Sequence, residues 1–115
     1  MPYRPEIAET LARYAEAWTT DDPDARWSLV HACAAPEVVY LGPESKKPVE
    51  GQAALAAFLG IPRGLTALEV GAPDVHHRWL RAPCRWTTAE GEATGLLVAH
   101  LDDGHRLAQI IHFDD

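Results

Sequence analysis

The sequence predicts an α+β domain in which three helices pack on a strongly curved antiparallel sheet. Alanine-rich segments with helical periodicity precede residue 62, and alternating strand-like residues follow it. The turns AEGE at 89–92 and DDGH at 102–105 are short, polar and centred on glycine, which favours antiparallel hairpins. Because the 115 residues contain no repeat or linker, we expect a single domain over residues 1–115.

Three helices are predicted before the sheet. The first should start behind Pro5 and end near Thr20. Its apolar residues recur at the helical period and are Ile7, Leu11, Tyr14 and Trp18. The second should begin at the capping residue Asp22 and reach about Cys33. A third, short helix is predicted over residues 51–59, with Phe58 on its apolar side.

Five strands are predicted, one between the second and third helices and four after the third. The first is EVVYL at residues 37–41, and a turn-forming GPESKKP loop closes it. The other four are expected at residues 65–73, 75–88, 92–101 and 105–114. Pro83 interrupts the second of these four, which predicts a bulge, a bend or an edge position there.

The composition excludes several classes of partner and compartment. Seventeen acidic against ten basic residues give a formal charge of -7, which repels nucleic acid and anionic membrane surfaces. No apolar run approaches the roughly 20 residues that span a bilayer, and no targeting segment is evident, so we expect a cytoplasmic protein. Cys33 and Cys84 are expected to be buried hydrophobes.

The six histidines do not form a metal-ligand pattern. No spacing places two imidazoles on one face with a carboxylate nearby, so neither a metal site nor another cofactor is expected. His76 and His77 are neighbours, and in one strand only one of them can face inward. His100 and His105 flank the DDGH turn and are expected at the surface.

Titratable residues stand at the end of the last predicted strand, QIIHFDD. Because strand side chains alternate, Ile110, His112 and Asp114 should share one face, and Ile111 and Phe113 the other. A solvated strand end would explain the polar residues, and so would a strand that lines a cavity. The alternation alone leaves both interpretations open.

The order and spacing of these segments resemble the nuclear transport factor 2-like superfamily, in particular its SnoaL-like polyketide-cyclase and ketosteroid-isomerase branch. The similarity covers nearly the whole chain from Ile7, through RYAEAWTTDD, EVVYLGP, GQAALAAFL, HHRW, RWTTAEGEATG and DDGHRLAQIIHFDD. It implies a cone-shaped α+β barrel with a deep, mostly apolar pocket. Such a pocket suits a small hydrophobic molecule.

The resemblance also implies roles for single residues. Tyr14 matches the tyrosine that donates a hydrogen bond to the oxyanion in the isomerase branch. Tyr40 stands where that branch has its general base, and Leu97 stands near its protonated acid, so both carboxylates are missing. A tyrosine with a pKa of about 10 is a poor base at neutral pH.

The last strand supplies the candidate substitutes. Matched to the isomerase branch, Ile110, His112 and Asp114 face the cavity, and the aspartate could orient the imidazole or act as the base itself. The candidate catalytic residues are therefore Tyr14, His112 and Asp114. The candidate ligand-binding residues are Trp18, Tyr40, Phe58, Trp86, Leu97 and Ile110.

Two functions are predicted about equally well, and a third less so. The first is an acid–base enzyme of the cyclase or isomerase type that acts on a small hydrophobic molecule. The second is a non-catalytic ligand-binding or dimerisation module, and the third is a scaffold whose own side chains fill the cavity. A homodimer is expected through the outer face of the sheet, where Trp27 and Trp79 could lie.

Overall fold

The computed structural model describes residues 4–114, with the three helices near the N-terminal end and most of the sheet after them. The helices are α1 Pro5–Thr19, α2 Pro23–Cys33 and α3 Gln52–Leu59. The strands are β1 Ala34–Leu41, β2 Val49–Glu50, β3 Leu65–Val70, β4 Asp74–His76, β5 Trp79–Thr88, β6 Gly91–Leu101 and β7 Leu107–Asp114.

One curled sheet contains all of these strands. Its order is β2-β1-β7-β6-β5-β3, and β4 pairs with β5 beside β3. The sheet wraps around α1 as a half-barrel, which confirms the predicted cone-shaped α+β fold. It is mixed rather than wholly antiparallel, because β1 runs parallel to β7 while the other pairs are antiparallel. This pairing joins strands far apart in sequence, so turn signals could not indicate it.

β1 begins three residues earlier than the sequence predicts. The backbone of Ala34 is already extended where α2 ends, and Ala34 pairs with Leu107 of β7. The register shifts between Ala34 and Val39, where Pro36 interrupts the regular pairing. Pairing with a distant strand therefore extends β1 beyond the β-rich run at 37–41.

The predicted strand at 75–88 is wrong as one element. His77 and Arg78 have φ angles of 50° and 66°, and they form a two-residue turn between β4 and β5. Hairpins of this kind need positive φ at both turn residues, which is usually met by asparagine or glycine, so the sequence carried no signal. His76 and His77 are both exposed, and neither lines the inside of the cone.

Pro83 lies where β5 changes partner. β5 pairs with β4 up to Arg81 and with β3 from Cys84, so the missing amide hydrogen of Pro83 falls at the break between two short strands. Gly71 donates its backbone N–H to the Pro83 carbonyl at 2.8 Å. The predicted strand at 65–73 accordingly stops at Val70.

The core lies between α1 and the inner face of the sheet. The buried residues of α1 are Ile7, Thr10, Leu11, Tyr14, Ala17 and Trp18. This set contains the whole predicted stripe, so the helical period placed the helix correctly. Cys33 and Cys84 are buried free thiols, as expected. Among residues 4–114, no helix has the length and apolarity that crossing a bilayer requires.

Candidate functional site

α1 and β7 meet at a hydrogen bond between two buried side chains. The hydroxyl of Tyr14 lies 2.7 Å from Nε2 of His112, and the two rings are nearly parallel. Both residues are buried, with 0% of Tyr14 and 6% of His112 exposed. Phe113 is 53% exposed, so the alternation predicted for the last strand places His112 inside and Phe113 outside.

Four further aromatic rings surround this pair, and we call the six residues the aromatic cluster. Its members are Tyr14, Trp18, Tyr40, Phe58, Trp86 and His112. Trp18 is central: its ring centroid lies 4.9 Å from that of Trp86, 5.9 Å from Tyr40 and 6.2 Å from His112. Phe58 and Trp86 are half-buried, so they form the accessible rim of the cluster.

Buried polar atoms without partners are concentrated in the aromatic cluster. Among the described residues, four buried side-chain nitrogen or oxygen atoms lack a hydrogen-bond partner. Three of these are Nε1 of Trp18, the hydroxyl of Tyr40 and Nδ1 of His112, whose rings lie within 6.2 Å of one another. An unpaired buried polar group costs about 1–3 kcal/mol, and such groups are typical of sites that bind something.

The imidazole of His112 is neutral near pH 7. Burial lowers its pKa from the ordinary 6.5 to about 4. When Tyr14 donates to Nε2, the ring proton lies on Nδ1, which is then an unpaired donor. In the other tautomer Nε2 donates to Tyr14 and Nδ1 is an unpaired acceptor. Either way, Nδ1 can form one more hydrogen bond inside the cluster.

Both tyrosines of the cluster keep their protons at neutral pH. Burial raises the pKa of the Tyr14 phenol well above 10, and the neighbouring Tyr40 raises it further. The indole N–H of Trp18, acting as a nearby donor, opposes this rise, although it does not reach the phenol oxygen with full hydrogen-bond geometry. Burial also raises the pKa of Tyr40; Glu44 and Asp114 add to this rise, and Arg63 opposes it.

Asp114 does not form the predicted dyad with His112. Its side chain is exposed at the end of β7, and Nδ1 of His112 has no hydrogen-bond partner among the described residues. The only cause that shifts the pKa of His112 is burial, whereas Asp114 contributes to the pKa shift of Tyr40. Alternation predicted that Asp114 and His112 share a face of β7, but it carries no information on how deeply each side chain is buried.

The remaining candidate residues are apolar and lie next to the cluster. Leu97 of β6 is buried and is the register partner of His112. Ile110 is buried two residues before His112 and pairs with Tyr40 on β1. Both residues shape the floor of the cluster without contributing a polar group.

Arg63 covers the cluster, and no pattern in the sequence indicated it. Its guanidinium carbon lies 5.0 Å from the ring centroid of Trp18 and 4.6 Å from that of Phe58. Its Nε lies 3.6 Å from a carboxylate oxygen of Glu44 in the loop after β1. A lone arginine in the loop IPRG shows no periodicity, so only the folded chain reveals this stacking.

Among the concavities formed by the described residues, one adjoins the cluster. A groove of about 610 Å³ lies between α1 and the β3–β4 region, with alanines along its helical wall. A smaller depression of about 380 Å³ lies between residues 44–50 and α3, against Phe58. We place the candidate site at the aromatic cluster, because the unpaired buried polar groups lie there.

The comparisons with known proteins agree with this geometry at the level of the fold. No protein-family model and no curated protein matches the sequence. The structure is similar to that of a candidate isomerase of the SnoaL-like family from Agrobacterium tumefaciens, with a TM-score of 0.82 and 26% identity. That match covers 97% of this chain and 99% of the other.

Two further solved structures have the same fold. A candidate SnoaL-like polyketide cyclase from Jannaschia gives a TM-score of 0.78 at 16% identity, covering 100% of this chain and 91% of the other. A candidate ketosteroid isomerase from Kribbella flavida gives 0.75 at 16% identity, covering 96% and 78%. The chain has the fold of the nuclear transport factor 2-like superfamily.

The nuclear transport factor 2-like fold assigns no activity by itself. A de novo designed protein with a curved β-sheet has the same fold, with a TM-score of 0.75 at 15% identity. Function must therefore be argued from the side chains of the cluster. Within the described part of the chain, no three His, Cys, Asp or Glu side chains come together as a metal-binding group.

Proposed function

We propose that this protein binds a small, planar, largely hydrophobic molecule at the aromatic cluster. The observation that carries the proposal is the grouping of three unpaired buried polar atoms, on Trp18, Tyr40 and His112, among stacked aromatic rings. A carbonyl oxygen on the ligand would accept hydrogen bonds from the indole N–H and the Tyr40 hydroxyl. These bonds would remove part of the cost of leaving both donors unpaired.

The shape of the cluster supports a flat ligand. Its rings lie edge to face, with ring planes 81° apart for Trp18 and Trp86, so a flat molecule has both ring faces and ring edges to contact. Entry would pass between the half-buried rings of Phe58 and Trp86, on the side that Arg63 covers. The other members of the cluster are buried, so these two side chains would have to move.

Calorimetric titration with acetonaphthone, a neutral bicyclic ketone, tests the proposal. The wild-type protein should bind it, and Tyr40→Phe should weaken binding by about threefold to tenfold, because one hydrogen bond is lost. Trp79→Phe is the matched control, since Trp79 is exposed on β5, and it should bind like the wild type. If the wild-type protein binds no acetonaphthone, the proposal is wrong. Enclosed water would then be the partner of the polar atoms of the cluster.

A second candidate function is acid–base catalysis of the cyclase or isomerase type. It is supported by the 2.7 Å hydrogen bond between Tyr14 and a neutral His112, a pair that can polarise a carbonyl group or move one proton. Because Asp114 is exposed, this pair would act without a carboxylate base.

Exchange of the methyl hydrogens of acetonaphthone in deuterated water tests catalysis, because enolisation is the proton transfer such an enzyme would accelerate. Proton NMR should show faster loss of the methyl signal with the wild-type protein than with His112→Gln. Equal rates in the two proteins would leave ligand binding as the function of the cluster.

We also propose a homodimer through the outer face of the sheet. Leu41, Ile111 and Val98 are register neighbours across β1, β7 and β6, and Phe113 lies beside Leu96 in the adjacent row. Leu41 and Phe113 are exposed, so these rows form an apolar surface that a second copy could cover. Trp27, which was expected to cover this face, lies on α2 and is not a residue of these rows.

A further inference from the structure

We propose that the ligand of the aromatic cluster carries a carboxylate, and that Arg63 binds this carboxylate in place of Glu44. The inference rests on the proposed function, because it names the class of molecule that the cluster would bind. It follows from three features of the rim: the position of Arg63, the long distance of its ion pair with Glu44, and the two lysines of the neighbouring loop.

Arg63 forms the outer cover of the cluster. Its guanidinium carbon lies within 5.0 Å of the ring centroids of both Trp18 and Phe58. Only 21% of its side chain is exposed, so the cation is partly desolvated by these two rings. Its Nη1 donates to the carbonyl of Ile61 at 3.0 Å, which holds the guanidinium over the rings. A ligand that enters between the rings must pass beside this cation.

The ion pair between Arg63 and Glu44 is loose. The Nε–carboxylate distance is 3.6 Å, whereas a charge-assisted hydrogen bond measures about 2.7–2.9 Å. The Glu44 side chain is 52% exposed and belongs to the loop after β1, so water competes strongly for it. A ligand carboxylate anchored by its own ring system could therefore replace Glu44 at the guanidinium, whose planar fork matches a carboxylate.

The loop beside Arg63 contains two lysines without an ion-pair partner among the described residues. Lys46 and Lys47 are the only lysines of the chain, and both line the 380 Å³ depression that reaches Phe58. Neither forms an ion pair with any residue in the described range 4–114. In a chain with a formal charge of -7, the three cations Arg63, Lys46 and Lys47 outnumber the two carboxylates Glu44 and Glu50 on this side of Phe58, which favours a negatively charged ligand locally.

A planar aromatic acid satisfies the whole site. Its rings would lie among Trp18, Phe58 and Trp86, and its carboxylate would reach Arg63 at the rim. A second polar atom on the ring system would meet the unpaired donors of Trp18 and Tyr40. A neutral molecule of the same shape would leave Arg63 paired only with Glu44.

Calorimetry with two probes of matched shape tests this inference: naphthoate, which is anionic, and acetonaphthone, which is neutral. The quantity compared is the ratio of the affinity for naphthoate to the affinity for acetonaphthone. Wild type should prefer naphthoate by about threefold to tenfold, and added salt should reduce this preference. Glu44→Gln should raise the ratio, because the internal competitor is gone, and Arg63→Gln should bring it close to one.

The exposed ion pair Arg81–Asp74 on the opposite side of the sheet provides the control. Arg81→Gln removes one positive charge without touching the cluster, so both affinities should equal those of wild type. Arg63→Lys keeps the charge without the planar fork and should retain part of the preference.

Two results would contradict the inference, and only the second would also contradict the proposed function. If wild type binds both probes equally, or if Arg63→Gln keeps the preference, the carboxylate assignment is wrong while the binding function stands. If neither probe binds to wild type, both the inference and the proposed function are wrong.

Discussion

The hydroxyl of Tyr14 and Nε2 of His112 lie 2.7 Å apart in the core, although 98 residues separate them in the chain. This hydrogen bond ties α1 to β7 and leaves Nδ1 of His112 as an unpaired atom inside the aromatic cluster. The same pair of side chains therefore contributes to the stability of the fold and to the proposed binding site.

Tyr14→Phe should destabilise the fold. Removal of the hydroxyl leaves Nε2 of His112 buried without a partner, which costs about 1–3 kcal/mol of unfolding free energy. Urea unfolding followed by circular dichroism measures this loss. The double variant Tyr14→Phe with His112→Phe removes both polar partners and should recover part of it. Equal unfolding midpoints for wild type and Tyr14→Phe would show that the hydrogen bond contributes nothing.

The protein should lose stability in mild acid through His112. Above pH 6.5 the ring is neutral in both the folded and the unfolded chain. As the pH falls toward about 4, the unfolded chain binds a proton and the folded chain does not, so the unfolding free energy decreases. The decrease attributable to His112 can reach about 3 kcal/mol.

Urea unfolding at several pH values tests this dependence. His112→Gln should show a shallower loss of stability between pH 6.5 and 4 than wild type, because glutamine does not titrate. His100→Gln, at a half-buried position on β6, is the control and should follow the wild-type curve. Parallel curves for wild type and His112→Gln would contradict the assignment of a neutral buried imidazole.

Gly42→Ala should disturb Tyr40. A Cβ atom at position 42 would overlap the hydroxyl and ring of Tyr40, and the backbone there is not in the left-handed region, so the effect is steric alone. Overpacking of this kind costs about 1–3 kcal/mol, and displacement of the Tyr40 hydroxyl should weaken acetonaphthone binding. Gly104→Ala meets no close contact and serves as the control. Unchanged stability and affinity in Gly42→Ala would mean that Tyr40 can move freely.

Phe113→Glu should convert the proposed homodimer to a monomer. Phe113 is 53% exposed on the outer face of the sheet, and a charge there would be buried without a partner in a dimer. Ile61→Glu is the matched control, because Ile61 is equally exposed but lies in the loop after α3. Light scattering at micromolar concentration should give twice 12.6 kDa for wild type and for Ile61→Glu. A wild-type mass of 12.6 kDa would rule out the dimer.

Features with a local period were predictable from the sequence. The stripe of α1 placed Tyr14 and Trp18 in the core, because a helix with one apolar face has only one way to bury it. Alternation along β7 put His112 and Phe113 on opposite faces, and the family resemblance assigned the inner face to His112. α1 and β7 contain Tyr14, Trp18 and His112, so the positions of these three members of the aromatic cluster were predictable from the sequence.

Features that depend on distant contacts were not predictable. The parallel pairing of β1 with β7 has no turn sequence to mark it, and the His77-Arg78 turn lacks the residues that usually mark one. The stacking of Arg63 on Trp18 depends on where the loop after α3 lies in space. Alternation put Asp114 on the same face as His112, but Asp114 is exposed, because the burial of a residue at a strand end depends on the curvature of the whole sheet.

The indole N–H resonances of the four tryptophans test the central claim most directly, because each reports its own surroundings in one nitrogen–proton NMR spectrum. Trp18 Nε1 is buried and unpaired, so a carbonyl ligand that accepts its hydrogen bond should move its proton signal downfield. On titration with acetonaphthone, the signals of Trp18 and Trp86 should shift, while those of the exposed Trp27 and Trp79 stay in place. Saturable binding that leaves the Trp18 signal unmoved, or that shifts Trp27 or Trp79 instead, would show that the aromatic cluster is not the ligand site.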